Sequence, residues 1–303
     1  MALNYHILDV FTERAFGGNP LAVVMDADRL GPAEMLTIAR EFNLSETVFV
    51  LQPVSPGHTA RVRIFTPTKE IPFAGHPTLG AAALLAELRM PVINGEGDAI
   101  IALEEDIGSV RVGVRLRQGA AAYAEFDAPR VWAEPLDLGD VEQIAAAFGL
   151  VTTEIGFESH KPMLLKGSSA FGYVPVSNLD AMSKIRVTPT QWSRAFTDRG
   201  VDGVYVYCRQ CVRGQSSFHA RMFAPDMGIP EDPATGSAAI GFARVIHEFD
   251  VLPDGASKRS IEQGLEMGRP STISLLVTVA RGRLEGVRIG GHTVRVADGV
   301  LQV

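Results

Sequence analysis

The chain has 303 residues, 46% of them hydrophobic and 21% charged, with a net charge of −7. A single core ordinarily stops growing near about 250–300 residues, so two domains are expected. The acidic balance excludes general affinity for nucleic acid or anionic membranes, although a local nest of backbone amides can still bind a small anion.

The opening MALNYHILDVF has no basic leader before an apolar core, so no signal peptide is expected. No run of about 18 uncharged apolar residues predicts a membrane span, and a cytoplasmic protein is expected. Alternating apolar and polar residues predict strands at Tyr5–Val10, Leu21–Met25, Thr47–Leu51, Arg61–Phe65, Ala99–Leu103, Val110–Leu116 and Ala122–Phe126. Further strands are predicted at Met163–Leu165, Gly172–Val176, Val204–Tyr207, Phe218–Phe223, Ile273–Val279, Gly286–Ile289 and Val294–Val296. Helical spacing marks Pro32–Phe42, Pro77–Leu88, Val141–Phe148, Gln191–Phe196 and the most apolar helix, Thr235–Phe249. Many strands with few helices indicate an α+β fold rather than a regularly alternating doubly wound sheet.

An internal repeat runs through this succession. RIFTPTKEIP (63–72) aligns with RMFAPDMGIP (221–230) at an offset of 158, which is 221 − 63. HPTLGAAA (76–83) aligns with DPATGSAA (232–239) at 156, which is 232 − 76, so the second loop is two residues shorter. Upstream, Val48–Val50 aligns with Val204–Val206, again at 156. Each half therefore reads as a strand, a Pro-bounded loop and a helix of small residues.

In both halves the loop delivers a helix mouth, His76-Pro77-Thr78 in one and Asp232-Pro233-Ala234-Thr235 in the other. Proline suits the first turn, where its missing N–H has no partner to lose. The remaining first-turn amides lack internal acceptors and suit a carboxylate or a developing enolate. Gly75, Gly236 and Ser237 are small enough for a ligand or an opposing helix to come close. Asn43-Leu-Ser-Glu46 places a glutamate at the entrance to an apolar strand. Burial there disfavours ionisation and raises the pKa toward the range a general base needs. Asn43 with Glu46 three residues on also has the form of a capping box, but a strand follows instead of a helix.

Other motifs are excluded. Gly75 to Gly80 has Walker spacing but is followed by Ala81 instead of lysine, and no dinucleotide fingerprint follows a strand. Cys208 and Cys211 form C-x-x-C at the end of a strand, with a turn rather than a helix after them, and no second pair completes a zinc site. They are expected to be incidental thiols in a reducing compartment. His6, His58, His160, His219, His247 and His292 are scattered and expected to be surface or satisfied core residues, and the Asp254 and Lys258-Arg259 region is expected to form solvated loops.

Together FGGNPLAVV (16–24), NLSETVFV (43–50), RIFTPTKEIPFAGHPTLGAA (63–82), RMFAP (221–225), EDPATGSAA (231–239) and QGLEMGRPS (263–271) resemble the PhzF family of phenazine-biosynthesis-like isomerases. No motif falls in the stretch from about 131 to 200. The resemblance implies two pseudo-symmetric domains of the diaminopimelate-epimerase type, each a curved sheet around a central helix, with the active site in the cleft between them. These would span 1–127 and 128–291, with the last strand, about 292–303, returning to the first. It also implies a homodimer that isomerises a small carboxylated substrate such as trans-2,3-dihydro-3-hydroxyanthranilate by proton transfer, with no metal or organic cofactor. The alternatives are an isomerase or epimerase of another small amino or hydroxy acid, or a small-molecule-binding protein on the same scaffold. Carried over by motif, Glu46 is the acid/base residue and His76 and Asp232 complete the catalytic set, while Ser45, Gly75, Gly236 and Ser237 bind substrate. Racemases of this fold use one cysteine from each half, and Cys208 and Cys211 share a half, which disfavours two-thiol chemistry.

Overall fold

The computed structural model describes residues 2–90, 92, 95–129, 134–167 and 169–303. The fold is α+β. Its first half runs β1 (Ala2–Val10), β2 (Asn19–Val24), α1 (Pro32–Phe42), β3 (Glu46–Leu51), β4 (Ala60–Phe65), β5 (Glu70–Ile71), α2 (Gly75–Arg89), β6 (Glu96–Glu105), β7 (Gly108–Arg117) and β8 (Ala122–Asp127). The second runs β9 (Leu136–Asp137), α3 (Val141–Phe148), β10 (Met163–Lys166), β11 (Ala170–Pro175), α4 (Leu179–Lys184), α5 (Pro189–Ala195) and β12 (Gly203–Cys208). It continues through β13 (Phe218–Ala224), β14 (Ile229–Asp232), α6 (Gly236–Phe249), β15 (Gly255–Gln263), β16 (Ser271–Ala280) and β17 (Arg283–Gln302).

One succession of pairings occurs twice. In the first half β1–β2 is antiparallel, β2–β3 parallel, β3–β4 and β4–β5 antiparallel, β4–β6 parallel, and β6–β7 and β7–β8 antiparallel. The second repeats it as β10–β11, β11–β12, β12–β13, β13–β14, β13–β15, β15–β16 and β16–β17, with the same senses in the same order. The sequence repeat thus has a structural counterpart, and it extends to side chains. Arg63 makes a two-pronged bond to Glu70 and sits 5.3 Å over Phe65. Arg221 does the same with Glu231 and sits 4.9 Å over Phe223. Each pair ties the outgoing strand to the returning one just before the helix mouth, and the planar guanidinium suits both contacts.

The two helices carry the core. Every residue of α2 from Gly75 to Ala86 is buried, and the helix touches β1, β2, β3, β6, β7, β8 and β17. A helix surrounded on all sides must be apolar on all sides, which is what LGAAALLA supplies. α6 packs on β11, β16 and β17 and touches α2. The segment without motifs forms a separate cluster in which Phe148 packs on Trp192, Phe196 and Phe223. None of the helices is long and apolar enough to cross a membrane, among the described residues.

Three expectations need correcting. Gly286–Ile289 and Val294–Val296 belong to one strand, β17, which pairs in turn with β16, β8 and β1. Between the two expected strands, the Gly290-Gly291 step is a close approach. A Cβ on Gly290 would meet the Tyr123 hydroxyl at 2.6 Å, and one on Gly291 would meet the Phe11 ring at 2.4 Å. Lys258 and Arg259 lie in a strand, β15, and not in a loop. Its polar first part is held by pairing with β16, a tertiary contact that overrides weak strand propensity. Finally, the helices start at Gly75 and Gly236, two residues earlier and one residue later than the periodicity suggests.

Those two glycines face each other. A Cβ on Gly75 would stand 3.0 Å from Gly236 Cα, and one on Gly236 would stand 3.1 Å from Gly75 Cα. The opposing atoms are backbone and cannot rotate away. Gly75→Ala is therefore expected to cost about 1–3 kcal/mol in urea unfolding, as overpacking does. Wild-type stability in that variant would show that the helix mouths are not in contact.

Candidate active site

Parallel pairing of β2 with β3 sets Glu46 opposite Leu21 and brings Asn19 and Pro20 alongside. Asn43, at φ 51°, closes α1 in the left-handed conformation, so it caps that helix's C-terminus and the capping-box form has no function here. His76 lies in the first turn of α2 and Asp232 ends β14, just before α6. Neither α2 nor α6 has a side-chain cap. Two helix mouths with unpaired first-turn amides thus meet at Gly75 and Gly236.

Glu46, His76 and Asp232 come together at this meeting point. Glu46 Oε2 lies 3.4 Å from His76 Nδ1. Asp232 Oδ1 accepts from Asn19 Nδ2 and Ser45 Oγ, both at 2.9 Å, and Oδ2 accepts from Thr235 Oγ1 at 2.5 Å. Glu46 Oε2 and His76 Nε2 are buried without a hydrogen-bond partner. Of the substrate-binding expectations, Ser237 lines the cavity beside Glu46 and Asp232. Ser45 instead spends its hydroxyl on Asp232, and Gly75 and Gly236 spend their small size on each other.

The cavity measures about 160 Å³ and is walled by Phe73, Phe171 and Met222 around the two carboxyl groups. Lys69 and Glu70 also line it. Glu70 is already bonded to Arg63, and Lys69 forms no ion pair among the described residues.

Burial raises the Glu46 pKa well above the usual carboxylate value, and the charge of Asp232 adds to the rise. Burial also raises Asp232, but its bonds from Thr235, Ser45 and Asn19 act against that. Of two nearby acids in a dry site, the one with three donors ionises first. Negative charge therefore settles on Asp232 and the shared proton on Glu46. Burial holds His76 down to about 3, opposed only by the Pro20 carbonyl, so its ring is neutral and can either donate or accept. Tyr205, buried with an unpartnered hydroxyl, is pushed up by burial and then by Asp232, and it stays protonated as a donor.

Sequence reasoning missed Asn19 and Gln263 as parts of this site, and named Thr235 only as part of the α6 mouth. Asn19 is fully buried and also donates to the Ala234 carbonyl at 2.8 Å, tying β2 of one half to the α6 mouth of the other. Its one signal was a buried-strand asparagine directly after two glycines in FGGNP. Gln263 Nε2 donates to the Asp232 carbonyl at 2.7 Å and to Thr235 Oγ1 at 3.1 Å, and nothing local in β15 announces that.

Several other titratable groups are bonded elsewhere. Burial pushes the Cys208 and Cys211 thiols up to about 12 and about 11, so neither is a thiolate near neutral pH. His219 is held between Glu262 at 2.8 Å and Glu266 at 2.9 Å. Among the described residues, Glu158, His160 and Asp250 lie close enough to hold a metal. The Arg209 guanidinium lies among all three, at 3.1, 3.2 and 2.7 Å, and offsets one of the two carboxylate charges.

The model of the family described as "Phenazine biosynthesis-like protein" matches residues 8–299. The chain belongs to that family. It is an isomerase, in keeping with its relatives. An uncharacterized isomerase of Mesorhizobium japonicum is 51% identical over 98% of both chains. The trans-2,3-dihydro-3-hydroxyanthranilate isomerase of Pseudomonas fluorescens is 33% identical, over 98% of this chain and 99% of its own. The fold matches the crystal structure of a Bacillus anthracis PhzF-family protein, with a TM-score of 0.87 at 23% identity over 100% of both chains.

Proposed function

We propose that this family member moves a hydrogen between two carbons of a small carboxylated substrate, such as trans-2,3-dihydro-3-hydroxyanthranilate, with Glu46 as the carrier. The observation that supports it is the pairing of a buried carboxyl, unpartnered at Oε2, with a second buried carboxylate that receives three donors beside two uncapped helix mouths. Ionised Glu46 takes the proton from one carbon, and the C–H electron pair passes into adjoining unsaturation toward the substrate carboxylate. Glu46 then delivers a proton, exchanged with solvent while it is held on the carboxyl, to a second carbon. Atoms and oxidation state balance, so the step needs no electron acceptor, and the reading requires neither metal nor organic cofactor.

Each neighbour has a part in that reading. The Gly236 and Ser237 amides at the α6 mouth offset negative charge as it grows on the substrate. Asp232 takes the substrate's amine or hydroxyl, and neutral His76 orients the other polar group. Lys69 at the cavity wall supplies the cation that draws a carboxylate into an otherwise acidic pocket.

A panel of small amino and hydroxy acids, including the dihydroanthranilate, incubated with the protein in D₂O tests this by NMR. Deuterium is expected at one carbon of at least one acid as its double bond shifts. Isomerisation without solvent exchange, or no reaction across the panel, would reject Glu46-mediated transfer.

A further inference from the structure

Beside the catalytic cavity lies a second one of about 130 Å³, and the two share Phe73, Ser169, Phe171 and Ser237 as a common wall. Beyond that wall the second cavity is bounded by Ile107, Leu165, Tyr173 and Ile240. Tyr173 Oη is occupied, donating to the Ala238 carbonyl at 2.9 Å, and Lys166, Ser169 and Ser237 are the other polar side chains of the lining. Leu165 and Ile240 are almost fully buried, so the floor is rigid core. Ile107, in the turn between β6 and β7, is 41% exposed and forms the rim.

We propose that this annex binds an apolar arm of the substrate, a branched alkyl or aryl group of roughly six heavy atoms. A dry cavity of about 150 Å³ lined by Leu, Ile and Phe accepts one benzene ring, and this annex is of nearly that size with a mainly apolar lining. The preferred substrate is then a carboxylic acid whose carboxylate lies at the α6 mouth, within reach of Glu46, and whose other end is hydrophobic. Burying such an arm gains about fourfold in affinity per methylene. The inference deepens the proposed isomerase reading, on which it rests for the position of the carboxylate.

Calorimetry with acetate, butyrate, hexanoate and 4-phenylbutyrate tests the annex without turnover, so a failure of the isomerase reading shows separately. Affinity is expected to climb at least tenfold from acetate to 4-phenylbutyrate. Ile107→Trp, a rim change outside the core, is expected to abolish that gain while acetate binds as before. A flat series in the wild type would overturn the proposal whatever the variant does. So would an Ile107→Trp protein that weakens acetate and 4-phenylbutyrate equally.

Discussion

Glu46→Gln is expected to lower kcat by about 10²–10⁴, the usual contribution of a positioned acid/base group, with KM little changed. The amide keeps the size and the burial of the side chain but cannot carry a proton between carbons. Glu46 begins β3, whose next residues Thr47 to Val50 are buried core, so the backbone around the substitution is held by the strand. The same variant is expected to stop deuterium entering substrate from D₂O. Turnover at the wild-type rate on an acid that exchanges would remove Glu46 from the mechanism.

Asp232→Asn is expected to act in a different way. Wild-type kcat/KM should rise with pH through the Glu46 pKa, because only the ionised form accepts a proton, and the midpoint should lie well above 4.5. His76 adds no acid limb until about pH 3. Removing the Asp232 charge removes one of the two causes that raise Glu46, so the midpoint should move toward acid while burial keeps it above the ordinary carboxylate value. Activity near neutrality should still fall by about 10–100-fold. An asparagine amide would face donors from Asn19, Ser45 and Thr235, and unmatched buried donors cost about 1–3 kcal/mol. A limb that stays in place would mean the two carboxyl groups do not sense each other.

Much of this was legible in the chain. The repeat showed that two helix mouths exist and are alike, and proline with small residues marked where each begins. Glu46 was visible as a carboxylate that local structure does not need. The partners of Asp232 were not, because Asn19 is 213 residues away and Gln263 lies at the end of a strand held by tertiary pairing. Gly75 and Gly236 read equally well as ligand contacts or helix contacts, and only the approach distance separates those roles. The continuity of β17 through Gly290-Gly291 was not legible, since no local feature reports that Tyr123 and Phe11 occupy the space a side chain would need. The direction of the Glu46 shift followed from its apolar strand, whereas its opposition to Asp232 required the fold.

The account stands on Glu46 holding its proton at pH values where ordinary carboxyl groups have lost theirs. Titration of protein labelled with ¹³C at the glutamate carboxyl carbons, with Glu46→Gln used to assign the signal, measures that directly. The account predicts that this resonance titrates well above pH 4.5 and moves acidward in Asp232→Asn. A Glu46 signal that titrates near 4.5 in the wild type and ignores residue 232 would contradict it.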